Sequence, residues 1–134
     1  MQYSANAQKQ VDFENANTII IKTELTAKEA LKDIVDKLKS ADFEMALLNE
    51  EQYRFVTTYK ATRFFDFSVT GHISTKNGTS ITIRGIALVD SFTDKYELTA
   101  ASKKNKRNLK EIAWSELKRI ARKYPLGDVY YDKK

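Results

Sequence analysis

Five cations stand in the eight residues KKNKRNLK: Lys103, Lys104, Lys106, Arg107 and Lys110. They could neutralise phosphates on nucleic acid or on an anionic membrane. A second group, Asp66, Thr70, His72, Thr82 and Arg84, would join a titratable ring, a guanidinium, a carboxylate and hydroxyls if two strands bring it to one face. Such a surface could bind a polar ligand or a protein partner. Neither group is a catalytic constellation. His72 is the only histidine and cysteine is absent, so histidine-based and thiolate zinc sites are unavailable. A general-base role for His72 would need an orienting carboxylate, and Asp66, six residues away on the same strand, is too distant. There is no glycine-rich phosphate loop, nucleophile elbow or metal-ligand spacing. The expectation is a non-enzyme without cofactor or metal.

Charge is spread unevenly. Residues 101–134 hold eleven Lys and Arg against four Asp and Glu, whereas residues 1–100 hold twelve against fourteen. Lys106 and Arg107 would sit at a helix N-terminus, which the macrodipole disfavours, so helix stability is not the reason for them. Lys118, Arg119, Arg122 and Lys123 suit the other end. No aromatic residue is interleaved with the cations as a stacking platform for bases. The simpler reading of the basic stretch is a solvated lead-in, with nucleic-acid binding by the C-terminal helix as the alternative. For the second group the simpler reading is a solvent-facing sheet of ordinary β-formers. Asn77-Gly78-Thr79 matches a glycosylation sequon but is better explained as a turn, and Glu50-Glu51 as solvated.

The elements that must place these residues follow from periodicity. Residues 17–23, NTIIIKT, read as a buried strand. Thr26 and Glu29 form a capping box ahead of a helix whose stripe is Leu31, Ile34, Val35, Leu38 and Ala41, with Asp33 and Lys37 paired on the other side. Two-residue alternation then marks strands over Phe43–Leu48, Tyr53–Lys60 and Phe65–Ser74, and puts Thr58 and Lys60 on the outward face with the second group. A three-residue loop at Lys76-Asn77-Gly78 sets Ile73 opposite Ile81, His72 opposite Thr82 and Thr70 opposite Arg84. Ile86 and Leu88 change parity, so a bulge is expected at Gly85. Residues 91–104 read as a long loop with a brief edge strand near Tyr96 and Leu98. The last helix has the stripe Leu109, Ile112, Ala113, Leu117, Ile120, Ala121 and Tyr124 and stops at Pro125. Trp114 lies off that stripe and is expected under the long loop. A tail follows that lays Val129 or Tyr131 on the body. A small-ligand cavity lined by Tyr53, Phe65, Phe67 and Trp114 is a third possibility.

These readings give one α+β domain at 17–134 behind a polar lead-in at 1–16. It is an antiparallel sheet of about five strands with both helices on one face, in the order β-α-β-β-β-β-α. That order, carried by LTAKEALKDIVDKL and the KNGTSITIRGI hairpin, resembles the TATA-binding-protein repeat. It also resembles a family of exported bacterial domains of unknown function assigned the same fold. The resemblance implies a non-catalytic module of the bacterial envelope or exterior. Ala5-Asn6-Ala7 has the small-x-small spacing that signal peptidases cut, which agrees with export. The longest apolar runs are a few residues, far short of the roughly 20 that span a bilayer, so no transmembrane segment is expected.

Overall fold

The computed structural model describes residue 10 and residues 16–62, 65–88, 95–97 and 109–134. Along the chain run β1 (Thr18–Thr23), α1 (Ala27–Ser40), β2 (Met45–Asn49), β3 (Arg54–Thr57), β4 (Lys60–Ala61), β5 (Asp66–Ser74), β6 (Thr79–Leu88), β7 (Lys95–Glu97) and α2 (Leu109–Ala121). A 3-10 turn, Leu126–Asp128, leads into β8 (Val129–Asp132). The protein is α+β, with one antiparallel sheet in the order β2-β3-β5-β6-β1-β8, β4 pairing β5 and β7 pairing β6. The described sheet therefore has eight strands rather than about five. Two of the additional strands are short, and the third is the expected tail. Val129 and Tyr131 do reach the body, but as part of a strand on the free edge of β1.

The capping box forms as expected. The Thr26 hydroxyl accepts from the Glu29 N–H at 3.2 Å, and the Glu29 carboxylate accepts from the Thr26 N–H at 3.1 Å. Leu31, Ile34, Val35 and Leu38 are buried on the sheet, a contribution of about 1.5–3 kcal/mol for each such side chain. On α2 the buried set is Ala113, Trp114, Leu117, Ile120 and Ala121, whereas Ile112 is exposed. Trp114 belongs to the core, its ring 6.2 Å from that of Tyr131. β8 supplies the wall that turns this face inward. The space proposed for a ligand is filled: Phe65 and Phe67 are buried edge to face, and they share one hydrophobic cluster with Trp114.

Both helices lie on the same face of the sheet. The Tyr124 hydroxyl, just past α2, donates to Asp33 of α1 at 2.6 Å, and Lys37 pairs with the same carboxylate at 2.7 Å. Asp33 thus faces the neighbouring helix, not open solvent. Burial alone would raise its pKa, but the bonds from Lys37 and Tyr124 outweigh that and hold it below the usual range. Burial and the adjacent carboxylate push the Tyr124 phenol well above its ordinary value.

The hairpin register is the expected one, with Ile73 opposite Ile81, His72 opposite Thr82 and Thr70 opposite Arg84. Asn77 and Gly78 both take positive φ, 60° and 88°. The expected bulge at Gly85 is absent, because pairing runs unbroken from Ser74–Ser80 to Asp66–Leu88. Ile86 and Leu88 consequently share the outward face with Arg84, and β7 extends the sheet beside them. The irregularity lies elsewhere. At Thr57 the β3–β5 ladder ends, and the Thr57 hydroxyl accepts from the Val69 N–H at 2.9 Å. Pairing resumes at Lys60–Phe67 with the phase shifted by one residue. Lys60 is thereby turned to the helix side, where its ammonium donates to the Ala41 carbonyl at 2.6 Å and stands 4.9 Å from the Phe43 ring centroid.

Gly71 faces the core, where an added Cβ would come within 2.5 Å of both the Phe55 ring and the Thr82 carbonyl. Gly71→Ala is therefore expected to cost about 1–3 kcal/mol in urea unfolding, with partial recovery on adding Phe55→Leu. Asp33→Asn should lower stability at neutral pH. A carboxyl with a depressed folded pKa stabilises above its unfolded pKa, so the gap between variant and parent should close as pH falls through and below the ordinary aspartate range.

Candidate functional site

The face of the sheet away from the helices carries the second residue group. Its geometry follows from three paired strands. Arg54 is opposite His72, which is opposite Thr82, and in the next row Val56 is opposite Thr70, which is opposite Arg84. Directly paired residues lie about 5 Å apart at Cα and successive rows about 7 Å apart, so Arg54 and Arg84 flank His72 and Thr70 on a diagonal of about 12 Å. Together with Leu47 and the backbone of Phe55 and Gly71, these side chains line a depression of 350 Å³.

The structure brings Thr70, His72, Thr82 and Arg84 together as expected and leaves Asp66 out. Asp66 sits at the far end of β5, paired with Leu88 and Ala61, and it is not part of the lining. Lys60, expected on this face, is on the other for the reason given above, and Thr58 does not line the depression either. Arg54, Val56 and Leu47 do line it and were not singled out. Alternation over residues 53–60 already placed Arg54 opposite in parity to the buried Phe55, which is the signal that could have found it. Leu47 could not be placed that way, because a register shift between Met45 and Leu47 breaks the alternation of β2. Lys103, Lys104, Lys106 and Arg107 lie outside the described residues. Lys110 is in the first turn of α2, and its side chain is outside the described set.

The chemistry of the depression is cationic. Two guanidiniums and an imidazole line it, and among the described residues no carboxylate does. The pKa of His72 is lowered first by burial, then by the Arg54 guanidinium and the Lys134 ammonium. The imidazole therefore favours its neutral form, able to donate from one nitrogen and accept at the other. The Thr70 hydroxyl donates to the Phe55 carbonyl at 3.3 Å. Thr82 is buried at 7% exposure, opposite Ile20 of β1. The rim is partly apolar, with Leu47 exposed at 52%.

Two further depressions lie on the helix side. One of 360 Å³ runs between α1 and the β2–β3 turn, lined by Leu31, Val35, Leu48 and Tyr53 with Lys28, Lys32, Lys39, Asp36 and Glu50 around them. Here Lys32 is already paired with Asp36 at 2.9 Å. The other, of 260 Å³, separates the end of α1 from α2 and mixes Asp42 and Glu116 with Lys60, Arg119 and Lys123. Both mix the two signs of charge.

No protein-family model matches the chain, and no curated protein matches it in sequence. Among the described residues there is no group of three His, Cys, Asp or Glu able to hold a metal ion, and no helix long and apolar enough to cross a membrane.

With one histidine in the chain, its imidazole resonances need no assignment. Arg54→Gln should raise the pKa of His72 toward the ordinary histidine value, read by NMR titration of the ring protons. An unchanged titration would remove Arg54 from the electrostatics of the depression.

Proposed function

We propose that the protein is a non-catalytic binding domain that receives a polar ligand or a protein partner on the open face of its sheet. One observation carries this reading: Arg54, His72, Thr82 and Arg84, brought from three paired strands, converge on one concave surface opposite the face that holds the core. Set aside the short β4 and β7, and the chain through α2 follows β-α-β-β-β-β-α, with β8 as an additional strand. This supports likeness to the TATA-binding-protein repeat and to the exported bacterial domains of the same fold. By that analogy, together with Ala5-Asn6-Ala7, the proposed site of action is the bacterial envelope or exterior.

The nucleic-acid alternative, through the C-terminal helix, has less behind it. Arg119 is paired with Glu116 at 3.3 Å, and the Lys123 ammonium donates to the Lys37 carbonyl at the end of α1 at 3.5 Å. Those two cations have structural work on α2 and between the helices.

The reading is tested by two-dimensional amide NMR with a panel of neutral sugars, dipeptides and inorganic anions. Perturbations confined to β3, β5 and β6 are expected, while shifts confined to the helices, or none at all, would overturn it. Labelled oligonucleotides should show no salt-sensitive binding tighter than about 1 μM by fluorescence anisotropy at moderate salt, since ordinary non-specific affinity is weaker than that.

A further inference from the structure

We propose that the protein pairs with a second copy of itself through β2, the two strands lying antiparallel about a two-fold axis at Leu48, so that two sheets continue as one. This goes beyond the reading of the open sheet face and does not depend on it.

The end strands of the sheet differ. At one end stands β8, none of whose residues is exposed, and at the other stands β2, which exposes Ala46, Leu47 and Leu48. Leu47 is 52% exposed and Leu48 40%. They belong to opposite faces, Leu47 lining the depression on the sheet side and Leu48 the one beside α1. An apolar strand at the end of a sheet is a template for pairing, and proteins protect such edges with charge, proline or a bulge. Met45–Asn49 contains no charged residue and no proline, and its bulge lies at the start, between Met45 and Leu47. Over residues 47–49 the strand pairs regularly with β3 and is left straight.

Backbone direction fixes the register. The Ile73 N–H donates to the Tyr53 carbonyl at 2.9 Å, so Tyr53 is turned to β5 and, by alternation, Arg54 and Val56 are turned to β2. Their partners Asn49 and Leu47 face back to β3, which directs the N–H and C=O of Leu48 to the outer edge. A two-fold axis there makes the bonding mutual, Leu48 to Leu48 of the second copy. Leu47 then stands opposite Asn49 of the second copy, and Ala46 opposite its Glu50. On the helix side the two Leu48 side chains cover one another.

Charge selects a second copy as the occupant. The chain reverses between α1 and β2, so the last turn of α1 lies beside the start of β2. Lys39, in that turn, is exposed and lines the groove that Leu48 and Glu50 also line. The register carries Glu50 of the second copy to Ala46, and so toward Lys39, and symmetry repeats the pair. An unrelated apolar strand would cover the leucines without meeting this lysine.

Sedimentation equilibrium between about 10 μM and about 1 mM is expected to show a reversible monomer–dimer exchange with a dissociation constant of about 100 μM, as suits one short strand. Leu48→Lys sets like charges across the axis and should abolish the dimer. The amide spectrum of β5 and β6 should not change, because Leu48 is exposed in the monomer. Lys39→Glu and Glu50→Lys should each weaken the dimer about tenfold, and the two together should restore it. A monomer throughout the range, assembly beyond a dimer, a dimer that survives Leu48→Lys, or a double variant no tighter than either single one overturns the proposal.

Discussion

The β5–β6 pairing decides which half of the sheet is core and which is surface. Side chains alternate across a strand, so a slip of one residue would exchange Ile73, Ile81 and Ile83 with His72, Thr82 and Arg84. Nine consecutive pairs hold the register, closed at one end by a turn whose Asn77 and Gly78 adopt left-handed backbone. Everything else is referred to it. β1 pairs one edge of the hairpin and β3 the other, so the phase is transmitted outward in both directions. Gly71 locks it from below, because the Phe55 ring lies where a larger residue would need to be.

The local parts of this arrangement were legible in the sequence. Thr26 and Glu29 announce a helix start through chemistry that spans three residues, and the hairpin register followed from asking which pairing keeps isoleucine opposite isoleucine. The same reasoning placed four of the five candidate sheet residues around one depression. It failed where a tertiary contact overrides alternation. Thr57 holds β5 through side-chain bonds, its hydroxyl accepting from the Val69 N–H and its carbonyl from the Ser68 hydroxyl, the pairing beyond it is shifted so that Lys60 turns to the other face, and nothing in the residues 53–60 signals this. The parity change at Ile86 suggested a bulge, yet the ladder absorbs it and leaves two apolar side chains outward. Trp114, off the expected stripe, packs beside Tyr131, which belongs to β8, a strand where the sequence predicts a tail.

On the helix side cations are matched with carboxylates: Lys37 and the Tyr124 hydroxyl share Asp33, Lys32 meets Asp36, and Arg119 meets Glu116. Exposed ion pairs of this kind contribute little each, and their effect is to neutralise the helical surface.

β1 lies between β6 and β8, and Ile19, Ile20 and Ile21 are all buried there. Both of its neighbours come much later in the chain. While a ribosome is still extending the protein, this early segment has no strand to pair with until residues 79–88 have emerged, and its second edge stays bare until residues 129–132 follow. Three adjacent isoleucines therefore lack strand partners on both edges while the residues between are being made. The nascent chain is vulnerable to association over that interval, until residues 129–132 close the second edge of β1.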